Sequence, residues 1–190
     1  TLNIMKKFGL VNNIFGWLSF AVALVVYSMT AEQSVSLWDC GEFILGAYKL
    51  QVVHPPGAPL FLIIGRMFAM MGDALSSDPS NIAFAVNLMS GMVTAFAGMF
   101  VCWSTMYLGK LSLVGRDEST NSNQNIALLL SGLAAGLSAT FCVSVWFSAM
   151  EGEVYAMSTF FTALTMWALL KWYYLPDTGK SDKWIVFSMF

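Results

Sequence analysis

Charge is what this sequence has least of: nine Lys and Arg and eleven Asp and Glu among 190 residues, 11% in all. A soluble domain carries about 25%. The shortfall runs the whole length of the chain, which points to an integral membrane protein with several spans. A net charge of −2 gives no reason to expect a nucleic-acid partner. Cysteine is equally scarce. Cys40, Cys102 and Cys142 are odd in number and far apart, and two lie in apolar runs, which excludes a disulfide framework and a zinc site. There is no internal repeat, no low-complexity tract, and no convincing cleavage pattern after residues 11–30. The chain begins at Thr1 and stops inside the apolar run WIVFSMF, so it reads as part of a longer protein.

What it has instead is long apolar runs. Crossing a hydrocarbon core of about 30 Å takes roughly 20 apolar residues. Four stretches qualify, at about 11–30, 82–108, 126–148 and 155–174, and a fifth starts at Trp184. The stretch 59–71 is shorter, contains Arg66, and lies between PPGAP and GDALSSDPSN, so it is expected to be interfacial, as is 39–51. Basic residues favour the cytoplasmic side. With the N-terminus inside and 59–71 not crossing, Lys6, Lys7, Lys110, Arg116, Lys171, Lys180 and Lys183 are inside and only Lys49 and Arg66 outside, seven against two. The segments 116–125 and 175–183 are then polar inner links, and WDCGEF, HPPGAP and EGEVY share the outer face.

Those three motifs hold the chemistry. Asp39 and Glu42 of WDCGEF (38–43) stand three apart at the start of a plausible helix. One reading is a capping box, with Asp39 as N-cap and Glu42 as its partner. Yet Ser would cap as well at less desolvation cost. The other reading is a pair of functional carboxylates on one helix face. His54 precedes Pro55 and Pro56, which hold it extended in a stiff turn, and Gly57 allows close backbone approach. Glu151 and Glu153 of EGEVYAM are either acids at a helix N-terminus or functional acids beside the membrane. Trp146 and Tyr155 fit an aromatic belt.

The run WDCGEFILGAYKLQVVHPPGAPLF resembles protein O-mannosyltransferases, which carry an Asp-Glu pair and then His-Pro-Pro in the first outer loop. More closely it looks like a membrane family long known only as a domain of unknown function and now described as protein O-mannosyltransferase-like. EGEVYAM is similar to a second acidic motif of that family. The likeness covers about residues 36–70 and 146–157. Here Cys40 and Gly41 separate the two acids, which are adjacent in the mannosyltransferases.

The resemblance implies the N-terminal part of a GT-C glycosyltransferase, an all-α polytopic membrane bundle with an interfacial first outer loop. It implies transfer of mannose or another hexose from a polyprenyl-phosphate donor to a protein Ser/Thr hydroxyl or a glycan, at a periplasmic or lumenal face, with a bacterial inner membrane expected. By the same likeness Asp39 is the catalytic base and Glu42 its support. Trp38, His54, Pro55, Pro56, Gly57, Glu151, Glu153 and Tyr155 bind donor or acceptor, with His54 and Gly57 on the donor phosphate. The lipid-linked sugar is substrate rather than cofactor, and no metal is expected, although Asp39, Glu42 and Glu153 offer carboxylates to a hard cation. Two further readings are a transporter and a non-catalytic subunit of a larger membrane assembly.

Overall fold

The computed structural model describes residues 2–75, 78–175 and 181–189, with residues 2–10 by backbone only. Lys180, counted above with the inner basic residues, lies outside them. The described residues form eight helices in order: α1 (Leu2–Thr30), α2 (Cys40–Lys49), α3 (Pro59–Leu75), α4 (Ser80–Leu113), α5 (Ser122–Thr140), α6 (Val143–Met150), α7 (Val154–Tyr174) and α8 (Asp182–Ser188). No strand occurs among the described residues. The chain is an all-α membrane protein.

Among the described residues, two helical stretches are long and apolar enough to cross a membrane, Val11–Thr30 and Ser80–Leu113. A third arises if α5 and α6 count as one span. The stretch expected to span at about 126–148 is this pair, whose two helices are bent by 61°. Phe141 and Cys142 between them are not helical. The expected span at 155–174 is α7, which is not among the crossing candidates. Its Tyr, Thr and Ser residues and Lys171 dilute its apolar character. The final helix starts at Asp182 rather than Trp184.

The described chain falls into two compact units. The first comprises residues 1–22, 95–141 and 160–190. Its core is aromatic: Phe100 and Trp103 of α4 pack with Ala163, Phe160 and Trp167 of α7 and with Phe20 of α1. Trp103 Nε1 donates to the Asn12 carbonyl at 3.1 Å, so the one polar atom of this buried indole is satisfied. Within this unit α5 starts four residues before the expected span. Asn121 is extended and accepts from the Gln124 amide, while Gln124 Oε1 accepts from Asn121 N–H, a complete capping box.

The second unit comprises residues 23–94 and 142–159 and holds all three acidic and histidine motifs. Its core joins Cys40, Phe43, Ile44 and Ala47 of α2 to Phe61, Leu62 and Ala69 of α3, Val86 and Met89 of α4, and Met157 of α7. The chain reverses after α2 with Leu50 in the left-handed region (φ 51°) and Gln51 N–H bonded to the Gly46 carbonyl at 3.0 Å. Val53 then lies against Gly46, where an added Cβ would sit 2.6 Å from Val53 Cγ1. Gly46 thus lets residues 51–54 run back along α2 and brings His54 to the helix start.

Candidate active site

A buried amide organises the loop that carries Asp39. Asn87 of α4 has no exposed surface. Its Nδ2 donates to the carbonyls of Glu32 (2.8 Å) and Ser34 (3.0 Å), and its Oδ1 faces the Cys40 thiol at 3.9 Å. The second acidic turn packs on the same amide. A Cβ at Gly152 would sit 3.1 Å from Asn87 Oδ1 and 3.0 Å from both Ile44 and Val86. Glu32 N–H also donates to the Met150 carbonyl at 3.3 Å. The loop 31–39 and the turn 151–153, more than 110 residues apart in sequence, are therefore held against one point of α4.

At the end of that loop Trp38 takes φ 64° and leaves its indole 91% exposed. A bulky residue in the left-handed region costs on the order of 1–3 kcal/mol and marks a position fixed by its surroundings. Asp39 follows with helical dihedrals (φ −81°, ψ −7°) and makes no side-chain cap bond. A capping side chain needs an extended backbone to fold over the first turn, so the capping-box reading of Asp39 and Glu42 is overturned. Only the Asp39 carbonyl serves the helix, accepting from Phe43 N–H at 3.0 Å.

Glu42 turns away from the helix terminus to His54. One carboxylate oxygen accepts the His54 backbone N–H at 2.6 Å, and the other lies 2.9 Å from Nδ1. The bond from His54 holds the Glu42 carboxyl below the ordinary glutamate range. An ionised Glu42 can only accept, so Nδ1 carries a proton. Nε2 then points toward Asp39, 3.9 Å from Oδ2. Glu42 first, and Asp39 and Glu153 after it, raise the His54 pKa above its ordinary value. The ring also meets Phe43 edge to face at 5.6 Å. Pro55 and Pro56 are joined by a cis bond, and Gly57 N–H closes the turn on the His54 carbonyl at 2.9 Å. Gly57 has φ 77°, with open space where a Cβ would lie.

Glu153 is buried, and its carboxyl is pushed upward, chiefly by that burial and then by the charges of Glu151 and Asp39. An open cleft of about 750 Å³ is lined by Trp38, Asp39, Phe147, Glu151, Glu153 and Tyr155, among others. The structure thus gathers five of the predicted residues around one space. Glu42 and His54 adjoin it through Asp39, while Pro55, Pro56 and Gly57 do not line it. Asp39, Glu42 and His54 also offer one ligand atom each within 4.8 Å of one another, a spacing that a divalent cation could bridge.

Sequence reasoning missed Asn87, Glu32 and Phe147. The available signal for Asn87 was an amide in the apolar run NIAFAVNLMSGMV, since buried amides in such helices are hydrogen-bonded across the bundle.

Residues 39–190 match the family described as Protein O-mannosyl-transferase TMEM260 N-terminal domain. The chain is similar to Protein O-mannosyl-transferase tmem260 of Dictyostelium discoideum, 32% identical over 156 residues, which are 82% of this chain and 16% of that protein. It is also similar to Protein O-mannosyl-transferase TMEM260 of Mus musculus, 27% identical over 148 residues, 77% of this chain and 18% of that protein. The chain therefore spans less than a fifth of the length of these curated relatives. No solved structure matches it.

Proposed function

The chain belongs to the protein O-mannosyl-transferase TMEM260 family, within its N-terminal domain, and from that footing we propose that it supplies the acid-base half of a mannosyl-transfer site. The protein as a whole is read as a GT-C glycosyltransferase. It moves mannose from a polyprenyl-phosphate carrier to a protein Ser or Thr hydroxyl at the lumenal or periplasmic membrane face.

In this reading the acceptor oxygen sits between Asp39 and His54. Two groups 3.9 Å apart can both reach one oxygen at ordinary hydrogen-bond lengths. Asp39 takes the hydroxyl proton as the oxygen attacks the anomeric carbon. The bond from that carbon to phosphate breaks, and the polyprenyl phosphate leaves with the electron pair. Glu42 accepts from His54 Nδ1–H and so positions the ring, whose Nε2 faces Asp39. That assignment moves His54 off the donor phosphate, which would meet two carboxylates there, and the Gly57 N–H is already committed to the turn. Glu153 hydrogen-bonds a sugar hydroxyl from its buried position, and Trp38 and Tyr155 wall the sugar. No step in this reading needs a metal.

The observation that carries this reading is the cleft that Asp39 shares with Glu151 and Glu153. Its volume suits a sugar with part of a peptide. The test is purified full-length protein with a polyprenyl-phosphate mannose and an acceptor domain, the product read by intact mass. Transfer that continues in EDTA is expected. No transfer, or transfer abolished by EDTA and restored by a divalent cation, would overturn the metal-free transferase.

A further inference from the structure

We propose that the hairpin of α2 and α3 carries a separate site for the phosphate of a bilayer phospholipid, with Lys49 and Arg66 as its cationic ligands. The inference stands apart from the sugar-transfer reading.

The unit formed by residues 23–94 and 142–159 contains seven acids, Glu32, Asp39, Glu42, Asp73, Asp78, Glu151 and Glu153, and only these two Lys or Arg side chains. Scattered charges would place the two cations beside some of those acids. Instead both converge on one ring: Lys49 Nζ is 4.8 Å, and Arg66 Cζ 5.3 Å, from the Tyr48 centroid. The two come from different helices, so folding creates the pair. Among the described residues, no carboxylate lies within ion-pair distance of either cation. The nearby Asp73 accepts the Tyr48 hydroxyl at 3.0 Å, which fixes the position of the ring. Both cations thus have a face of an aromatic ring and no anion, an arrangement with charge-assisted bonding capacity to spare.

The surroundings identify the anion. A largely apolar cavity of about 410 Å³ lies beside Lys49, lined also by Ile44, Leu45, Ile82, Tyr48 and Asp73. A small polar anion would gain nothing from such walls, whereas the start of an acyl chain would. The outer face of α3 agrees. Leu60, Ile63, Met67, Met70 and Met71 are exposed at helical spacing, opposite buried Phe61, Leu62, Gly65, Ala69 and Gly72. Seventeen residues make a helix of about 26 Å, short of the hydrocarbon thickness, so an apolar outer stripe suits a helix lying at the interface. Arg66 borders that exposed stripe, a position from which an Arg stem can follow apolar surface while its head reaches a headgroup layer. The anions of that layer are lipid phosphates. The other polar cluster of the unit, Asp39 with Glu42, would repel one.

The test is native mass spectrometry of full-length protein in neutral detergent, titrated in turn with phosphatidic acid, diacylglycerol, inorganic phosphate and a polyprenyl phosphate. Phosphatidic acid is expected to bind, and diacylglycerol and inorganic phosphate to bind at least tenfold more weakly. The double variant Lys49→Gln with Arg66→Gln should weaken phosphatidic acid by about 10- to 30-fold. Arg66→Lys, which keeps the charge, should stay within a few fold, separating lost charge from lost folding. Equal binding of diacylglycerol or inorganic phosphate, or an unaffected double variant, would overturn the site. Polyprenyl phosphate bound through Lys49 and Arg66 with phosphatidic acid excluded would overturn the bilayer lipid as its occupant.

Discussion

Asp39–Glu42 and Asn121–Gln124 have the same spacing and the same place, just ahead of a helix, and the fold uses them in opposite ways. At 121 the backbone is extended (ψ 172°), and the amide folds over the first turn to close a reciprocal capping box. At 39 the positive φ of Trp38 delivers a backbone already helical (ψ −7°), and neither carboxylate serves the helix. Glu42 reaches twelve residues along the chain to His54, and Asp39 opens on the cleft. A cap is identified by the dihedrals of its first residue, not by the pattern alone. Acids that decline an available cap are left free for chemistry.

Four perturbations sharpen this contrast, in descending order of expected effect. Asp39→Asn keeps the shape and removes the proposed base, and the transfer rate of the full-length protein should fall by about 10²–10⁴-fold. Near-normal turnover would remove Asp39 from catalysis. Asn87→Ala should cost about 1–3 kcal/mol of stability, because the Glu32 and Ser34 carbonyls lose their donor. Denaturant unfolding measures that loss, and the same variant should transfer more slowly as the Trp38–Asp39 loop loosens. Asn121→Ala should cost about 1 kcal/mol while turnover per folded molecule stays constant. A loss of turnover there would erase the difference between the two regions.

The smallest effect is on pH. The Glu42 pKa is lowered, so its contribution is present above the ordinary glutamate range and fades as pH falls through the lowered value. The His54 pKa is raised, so its contribution is present below the ordinary histidine value and fades as pH rises through the higher one. The melting temperature should therefore be highest between those two limits, and Glu42→Gln should flatten the profile at both ends. Both groups are exposed and solvent-screened, so the amplitude should be modest. An identical profile in Glu42→Gln would contradict the pairing.

Composition made the all-α membrane fold legible, because apolar runs and sparse charge follow directly from the lipid solvent. The break between α5 and α6 was not legible, since Thr140, Phe141 and Cys142 include neither Gly nor Pro to mark it. The polar start of α5 was mistaken for a loop because a capping box is itself made of loop-like residues. Asp39, Glu42, His54 and Glu153 stood out as polar groups in an apolar chain. Their arrangement did not. The reversal that returns His54 to Glu42 turns on Leu50, where a Gly would have announced it, and the packing of the two acidic loops depends on Asn87, 47 residues past Cys40.

The central claim is that Asp39 and Glu153, from motifs far apart in sequence, act within one site. A double-mutant cycle on the transfer rate of the full-length protein tests it most directly, using Asp39→Asn, Glu153→Gln and the pair. Residues that act as a unit give losses that do not add. A double variant little slower than Asp39→Asn alone is expected. Losses that multiply, with the double variant slower by the product of the two single effects, would contradict a shared site.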